Sequence, residues 1–136
     1  MNSTSLPEPA IFFVDRSLGR KVIPDALRRA GEKVKTHDEL FPQDTPDETW
    51  LKEAGRQGWI VLTKDTRIRY HANEVAALLR SKVRAFVLTA RGDLTGAEMA
   101  EIFIKASPAM KRMSRDVAGP FIARIQRDSS VELLRR

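Results

Sequence analysis

Cysteine is absent from this 136-residue chain. That removes disulfides, cysteine nucleophiles and thiolate metal sites together. Histidine is scarce as well: His37 and His71 alone are too few for an all-nitrogen zinc site. Oxygen ligands remain, and they favour magnesium or manganese. Long apolar runs are missing, so no segment reads as a membrane span. The first residues also lack the basic-then-apolar order of a secretory signal, and a cytoplasmic location is the expectation. Residues 1–9 (MNSTSLPEP) are polar, carry two prolines and read as a flexible leader, which leaves residues 10–136 as a single domain.

What is present fits a globular chain, 42% hydrophobic and 31% charged. The net charge of +6 is unevenly placed. From Lys105 to Arg136 eight Lys and Arg stand against three acids, whereas residues 1–104 carry 16 basic and 15 acidic side chains. A basic C-terminal third suggests a polyanionic partner, because neutralised phosphates release counterions. Solvated helix faces are the competing account.

Strand and helix patterns alternate along the chain. Ile11 to Val14 is an apolar run, followed by helical spacing at Val22, Ile23, Ala26, Leu27 and Ala30 up to Gly31. A short strand is expected at Lys33 to Thr36. Thr45-Pro46-Asp47-Glu48 has the order of a helix start, with Thr45 as cap, Pro46 at the first helical position and Glu48 closing a capping box. Trp50, Leu51 and Ala54 supply the buried stripe of that helix, and Gly58 ends it. A second apolar run, Trp59 to Leu62, leads through Thr63-Lys64 to Asp65. Asn73 is placed to cap a helix carrying Val75, Ala76, Leu78 and Leu79. Ala85 to Leu88 is a fourth strand, and Thr95 to Glu98 repeats the capping-box order before Met99, Ile102, Phe103 and Ala106. Ser107-Pro108 starts a further short helix or kinks that one. Phe121 to Gln126 and Val131 to Leu134, joined through Asp128-Ser129-Ser130, close the chain as a hairpin. The order predicts an α/β fold, a mostly parallel sheet with helices on both faces.

Two of these runs end on aspartate. If both are parallel strands of one sheet, Asp15 and Asp65 lie at the carboxyl edge, where open α/β sheets place ligands. Neighbouring carboxylates need a shared proton or a cation. Capping and turn formation are the plainer roles for each alone. A third acid is expected from Asp47, with Glu48 as the alternative and Asp38 and Glu39 as weaker candidates. Three such carboxylates can hold Mg²⁺ or Mn²⁺ and leave positions for water, which suits in-line displacement at phosphorus. Lys64, Arg67 and Arg69 in the following loop, with Arg16 and Arg20 beside Asp15, would hold a nucleic-acid backbone, and Tyr70 could stack on a base.

Phe13-Val14-Asp15-Arg16-Ser17-Leu18, Thr45-Pro46-Asp47-Glu48 and Leu62-Thr63-Lys64-Asp65 together resemble, in order and spacing, the three acidic motifs of PIN-like domains. The likeness is closest to the branch that includes VapC-type toxins of toxin–antitoxin pairs, and it covers about Ile11 to Tyr70. It implies a three-layer α/β/α sandwich and a metal-dependent endoribonuclease, a hydrolase of phosphodiester bonds. It gives metal-ligand roles to Asp15, Asp47 and Asp65. It also implies a cognate antitoxin protein as partner and allows a homodimer. Arg16-Ser17 departs from the family, which often has an acid and then asparagine there. A fourth acid has no clear counterpart, and Asp93 is the stand-in considered.

Two other readings compete. A catalytically degenerate RNA-binding or protein-interaction module would keep the fold without chemistry. A receiver-type phosphoacceptor domain also carries strand-end aspartates, but it needs an acidic pair after its first strand and a late lysine. Here Arg16-Ser17 follow Asp15, and the late strand carries Arg124 and Arg127 instead.

Overall fold

The computed structural model describes residues 6–65, 67–90 and 92–136, with backbone alone at Ile68 and Arg69. Its sheet contains six strands: β1 (Ile11–Val14), β2 (Lys33–Thr36), β3 (Ile60–Thr63), β4 (Arg84–Leu88), β5 (Phe121–Ile125) and β6 (Val131–Arg135). The spatial order is β2-β1-β3-β4-β5-β6. All pairs are parallel except the last, where β6 returns antiparallel to β5 as the expected hairpin.

Side chains alternate across a strand, so each apolar strand feeds two cores. Phe12 and Val14 of β1, Ile60 and Leu62 of β3, and Phe86 and Leu88 of β4 face one cluster. The helices α1 (Val22–Arg29) and α6 (Gly96–Asp116) cover it with Leu27, Phe103 and Met110. Phe13, Val61, Ala85 and Val87 face the other, covered by α3 (Asp47–Gln57) and α5 (Ala72–Arg80) through Trp50, Leu51, Val75 and Leu78. The result is the anticipated α/β/α sandwich. Phe13 is central to the second layer, sandwiched between Trp50 and Trp59 with ring centroids 5.3 Å away on each side.

Helix starts differ from the sequence reading in two places. At α3 no capping box forms: the Thr45 hydroxyl donates instead to the Pro42 carbonyl, and Pro46 becomes the cap residue without a side-chain bond. Glu48 is thereby released from a capping role. Asn73 lies inside α5, which starts one residue earlier behind His71, and the loop expected after Asp65 holds the short helix α4 (Arg67–Tyr70). The box at Thr95 and Glu98 does form, and a second, unforeseen one joins Thr36 to Glu39 ahead of the short helix α2 (His37–Leu40). Helix α6 continues through Pro108 to Asp116 as one element. Part of the basic C-terminal surplus is engaged, in Lys111–Glu32 at 2.6 Å and Arg124–Glu132 at 2.5 Å. Among the described residues no helix is long and apolar enough to cross a membrane.

Candidate active site

Strands β1 and β3 are direct neighbours, with Val14 opposite Leu62, so the residues leaving them share one edge of the sheet. Asp15 follows β1 and caps a short 3-10 turn, Arg16–Leu18, by accepting from the Ser17 amide at 2.9 Å. Its other oxygen accepts from the hydroxyls of Ser17, at 3.2 Å, and Thr63. Those hydroxyl oxygens in turn accept from the amides of Lys64 and Asp65, at 3.1 and 3.0 Å. Two hydroxyls, 3.1 Å from each other, thus converge on one carboxylate oxygen and tie the ends of β1 and β3 together. Asp15 is largely buried, and an acceptor-only group suits the three donors around it. The plainer role foreseen for Asp15, capping, and its place at the sheet edge turn out to coexist.

Asp47, at the first position of α3, accepts from the Trp50 indole at 3.0 Å and faces the Arg16 guanidinium at 3.4 Å. Asp65 accepts from the Arg67 amide at 3.0 Å and from its guanidinium through both oxygens, Nε to Oδ1 at 3.0 Å and Nη2 to Oδ2 at 2.7 Å. That hydrogen bonding holds the Asp65 carboxyl below the usual carboxylate range, against the opposing effect of burial. Asp65 reciprocally raises Arg67.

A cavity of about 390 Å³ joins these groups. Asp15, Asp47 and Asp65 all line it, from three separated parts of the chain, together with Arg16 and Arg67. Glu74 of α5 also lines it, an acid the sequence reading did not select; its distance of 3.8 Å from His71 leaves only a loose contact. The signal available was its position in the first turn of the helix that follows the Asp65 loop. Thr63 and Ser17 carry no comparable signal in the sequence, since hydroxyls that organise a carboxylate leave no motif. Asp93 is exposed and is not among the residues lining this cavity. Glu48 is exposed and lines a different, shallow depression with Lys52 and Arg80. Asp38 and Glu39 lie outside the cavity, paired with Arg20 at 3.9 Å and Arg28 at 2.7 Å.

Three acids line the cavity, yet they do not meet at a point. Among the described residues, no three carboxylate or imidazole groups stand close enough to ligate one ion. Two of the acids are turned onto guanidiniums instead. Of the residues singled out from the sequence for nucleic-acid contact, Lys64 and Tyr70 are exposed, and Arg16, Arg20 and Arg67 each face a carboxylate. The Arg69 side chain lies outside the described residues. Beneath the site His37 is enclosed by Phe13, Phe41 and Trp50. Burial lowers the affinity of its imidazole for a proton, Arg16 adds to this, and Asp15, Asp47 and Asp38 oppose it.

The family described as PIN like domain matches residues 10–90, which include all three aspartates. The chain is similar to "Putative ribonuclease VapC45" of Mycobacterium tuberculosis (strain ATCC 25618 / H37Rv), 33% identical over 126 residues and covering 90% of each chain. No solved structure matches. The family match over more than half the chain, and a relative aligned along nearly all of it, agree with the six-stranded sheet and its acidic edge: this chain belongs to the PIN-like domain family.

Proposed function

We propose that the protein is a Mg²⁺- or Mn²⁺-dependent endoribonuclease and the toxin of a toxin–antitoxin pair. One observation carries this reading. Asp15, Asp47 and Asp65, remote in sequence, line a single cavity at the carboxyl edge of a PIN-like sheet. The relative named as a ribonuclease supports RNA as the substrate. The donor set is all oxygen and fits a hard dication. Asp15 offers a carboxylate already fixed by neutral donors, whereas Asp47 and Asp65 must exchange a guanidinium for the ion. When bound, such an ion supplies Lewis-acid polarisation of the phosphodiester and a water of lowered pKa.

The remaining work falls to the chain's own residues. Ser17 and Thr63 hold the Asp15 carboxylate in one orientation, and Thr63 also positions Asp65 through its amide. Arg16 and Arg67, once released from Asp47 and Asp65, are placed to receive the negatively charged phosphodiester. Lys64, Arg20, Arg69 and Tyr70 extend the contact along a single strand by charge and stacking. Asp47 rather than Glu48 is the third ligand in this reading, because Glu48 faces elsewhere. A cognate antitoxin that covers the acidic edge, and action in the cytoplasm, follow from the same reading. A homodimer is compatible with it.

The test is cleavage of single-stranded RNA with Mg²⁺, with Mn²⁺ and with chelator, using the native protein, Asp15→Asn and Asp65→Asn. Cleavage should require metal and disappear in both variants. Undiminished cleavage in either variant rejects the assignment. Salt-sensitive RNA binding without Mn²⁺ binding would establish the degenerate module instead.

A further inference from the structure

Arg16 forms a partition. On one side its Nη2 faces Asp47 in the acidic cavity, and on the other its Nη1 donates to the Gln43 backbone carbonyl. Behind it lies a second cavity of about 390 Å³, to which Arg16, Arg20, His37, Asp38 and Gln43 all contribute. The two hollows are therefore one side chain apart.

The chemistry of the second hollow is mixed. Gln43 donates its amide N–H to Asp38 Oδ1 and keeps its own side-chain oxygen as an acceptor. Arg20 stands 3.9 Å from Asp38 Oδ2, a loose pairing that leaves guanidinium donors available. A free phosphate would meet the Asp38 carboxylate, and a dication would meet two arginines. A neutral planar ligand that alternates donors and acceptors along its edge suits the set better, and an unpaired nucleobase has that character.

A separate observation comes from the floor. His37 is 1% exposed, and neither ring nitrogen has a hydrogen-bond partner among the described residues. A neutral imidazole always carries one donor and one acceptor, and buried polar atoms are nearly always matched. Its ring lies among Phe41 at 5.5 Å, Trp50 at 6.2 Å and Phe13 at 6.5 Å, none of which offers it a hydrogen bond. His37 also lines this hollow, so its ring lies where an occupant would be sensed.

We propose that this second cavity seats an unpaired RNA base next to the scissile phosphate, read by Asp38, Gln43 and Arg20 above the His37 floor. The inference rests on the ribonuclease reading and deepens it: cleavage chemistry lies on one side of Arg16, sequence preference on the other.

The experiment uses the full chain without metal and single-stranded 2′-O-methyl hexanucleotides that vary one central base. The ring resonances of His37 are followed by NMR and separated from His71 with the exposed-site variant His71→Gln. Saturable shifts of the His37 signals are expected with at least one hexanucleotide and not with inorganic phosphate or duplex RNA. Gln43→Trp, at an exposed position where the new ring fills the hollow, should abolish the shifts and flatten the preference among bases. Arg20→Ala should weaken binding by about tenfold, in line with loss of one good base contact. Hexanucleotides that bind and RNA that is cleaved, with His37 unmoved and Gln43→Trp silent, overturn the base seat while the nuclease stands. A response to inorganic phosphate alone assigns the hollow to an anion and also overturns it. No binding and no cleavage of any RNA rejects both readings.

Discussion

Asp65 and Arg67, two residues apart, close a bidentate pair at the rim of the acidic cavity, with contacts of 3.0 and 2.7 Å. The Arg67 side chain is half exposed, so the pair contributes little to folding, about 1 kcal/mol or less. Its consequence is local: it occupies the carboxylate that the proposed function assigns to a cation. Arg67→Ala should leave the melting temperature nearly unchanged, strengthen Mn²⁺ binding severalfold by calorimetry and weaken RNA binding. Weaker Mn²⁺ binding would mean that Arg67 supports the ion site rather than competing for it.

The same pair gives a pH signature. An aspartate has a pKa of about 3.9 in an unfolded chain, and Arg67 holds that of Asp65 lower in the folded one. The pair therefore stabilises the fold above about pH 4 and loses its effect as pH falls through the lower, folded value. Thermal melts of the native chain and Asp65→Asn should differ by a constant small margin from neutral pH down to about pH 5, then converge below about pH 4. A margin that persists at the acid end would assign the difference to packing rather than charge.

Thr63 serves both aspartates at once, donating to Asp15 and accepting from the Asp65 amide. Thr63→Val keeps the shape and removes the hydroxyl, leaving a buried carboxylate oxygen and an amide short of partners. Destabilisation of about 1–3 kcal/mol in urea unfolding is expected, with a loss of cleavage larger than that stability change explains. Cleavage at the native rate would mean that the hydroxyl lattice does not orient Asp15.

Glu74 and Asp93 are rival fourth acids. Only Glu74 reaches the cavity. Glu74→Gln should reduce Mn²⁺ affinity by about tenfold, as for a partner that tunes a metal site, while Asp93→Asn leaves it unchanged. The reverse pattern would place the metal outside this cavity.

The sequence alone determined the layers and their order. Alternation at Phe12, Phe13 and Val14 has period two, and period two dictates which side chain enters which core before any contact is known. It also put Asp15 and Asp65 at one edge, provided both runs are parallel strands of one sheet, since such strands point the same way. That β1 and β3 are direct neighbours came from the tertiary structure. What the sequence could not determine was the state of those acids. Thr45 and Glu48 spelled a capping box that Pro42 pre-empted by taking the Thr45 hydroxyl. The pairing of Arg16 with Asp47 spans 31 residues, and the Thr63 hydroxyl reaches Asp15 across 48. Glu74 enters the cavity only because α5 packs beside α3. Periodicity records which face a residue takes within its own element. Which carboxylate meets which guanidinium is decided when separate elements dock, and only the tertiary structure holds that information.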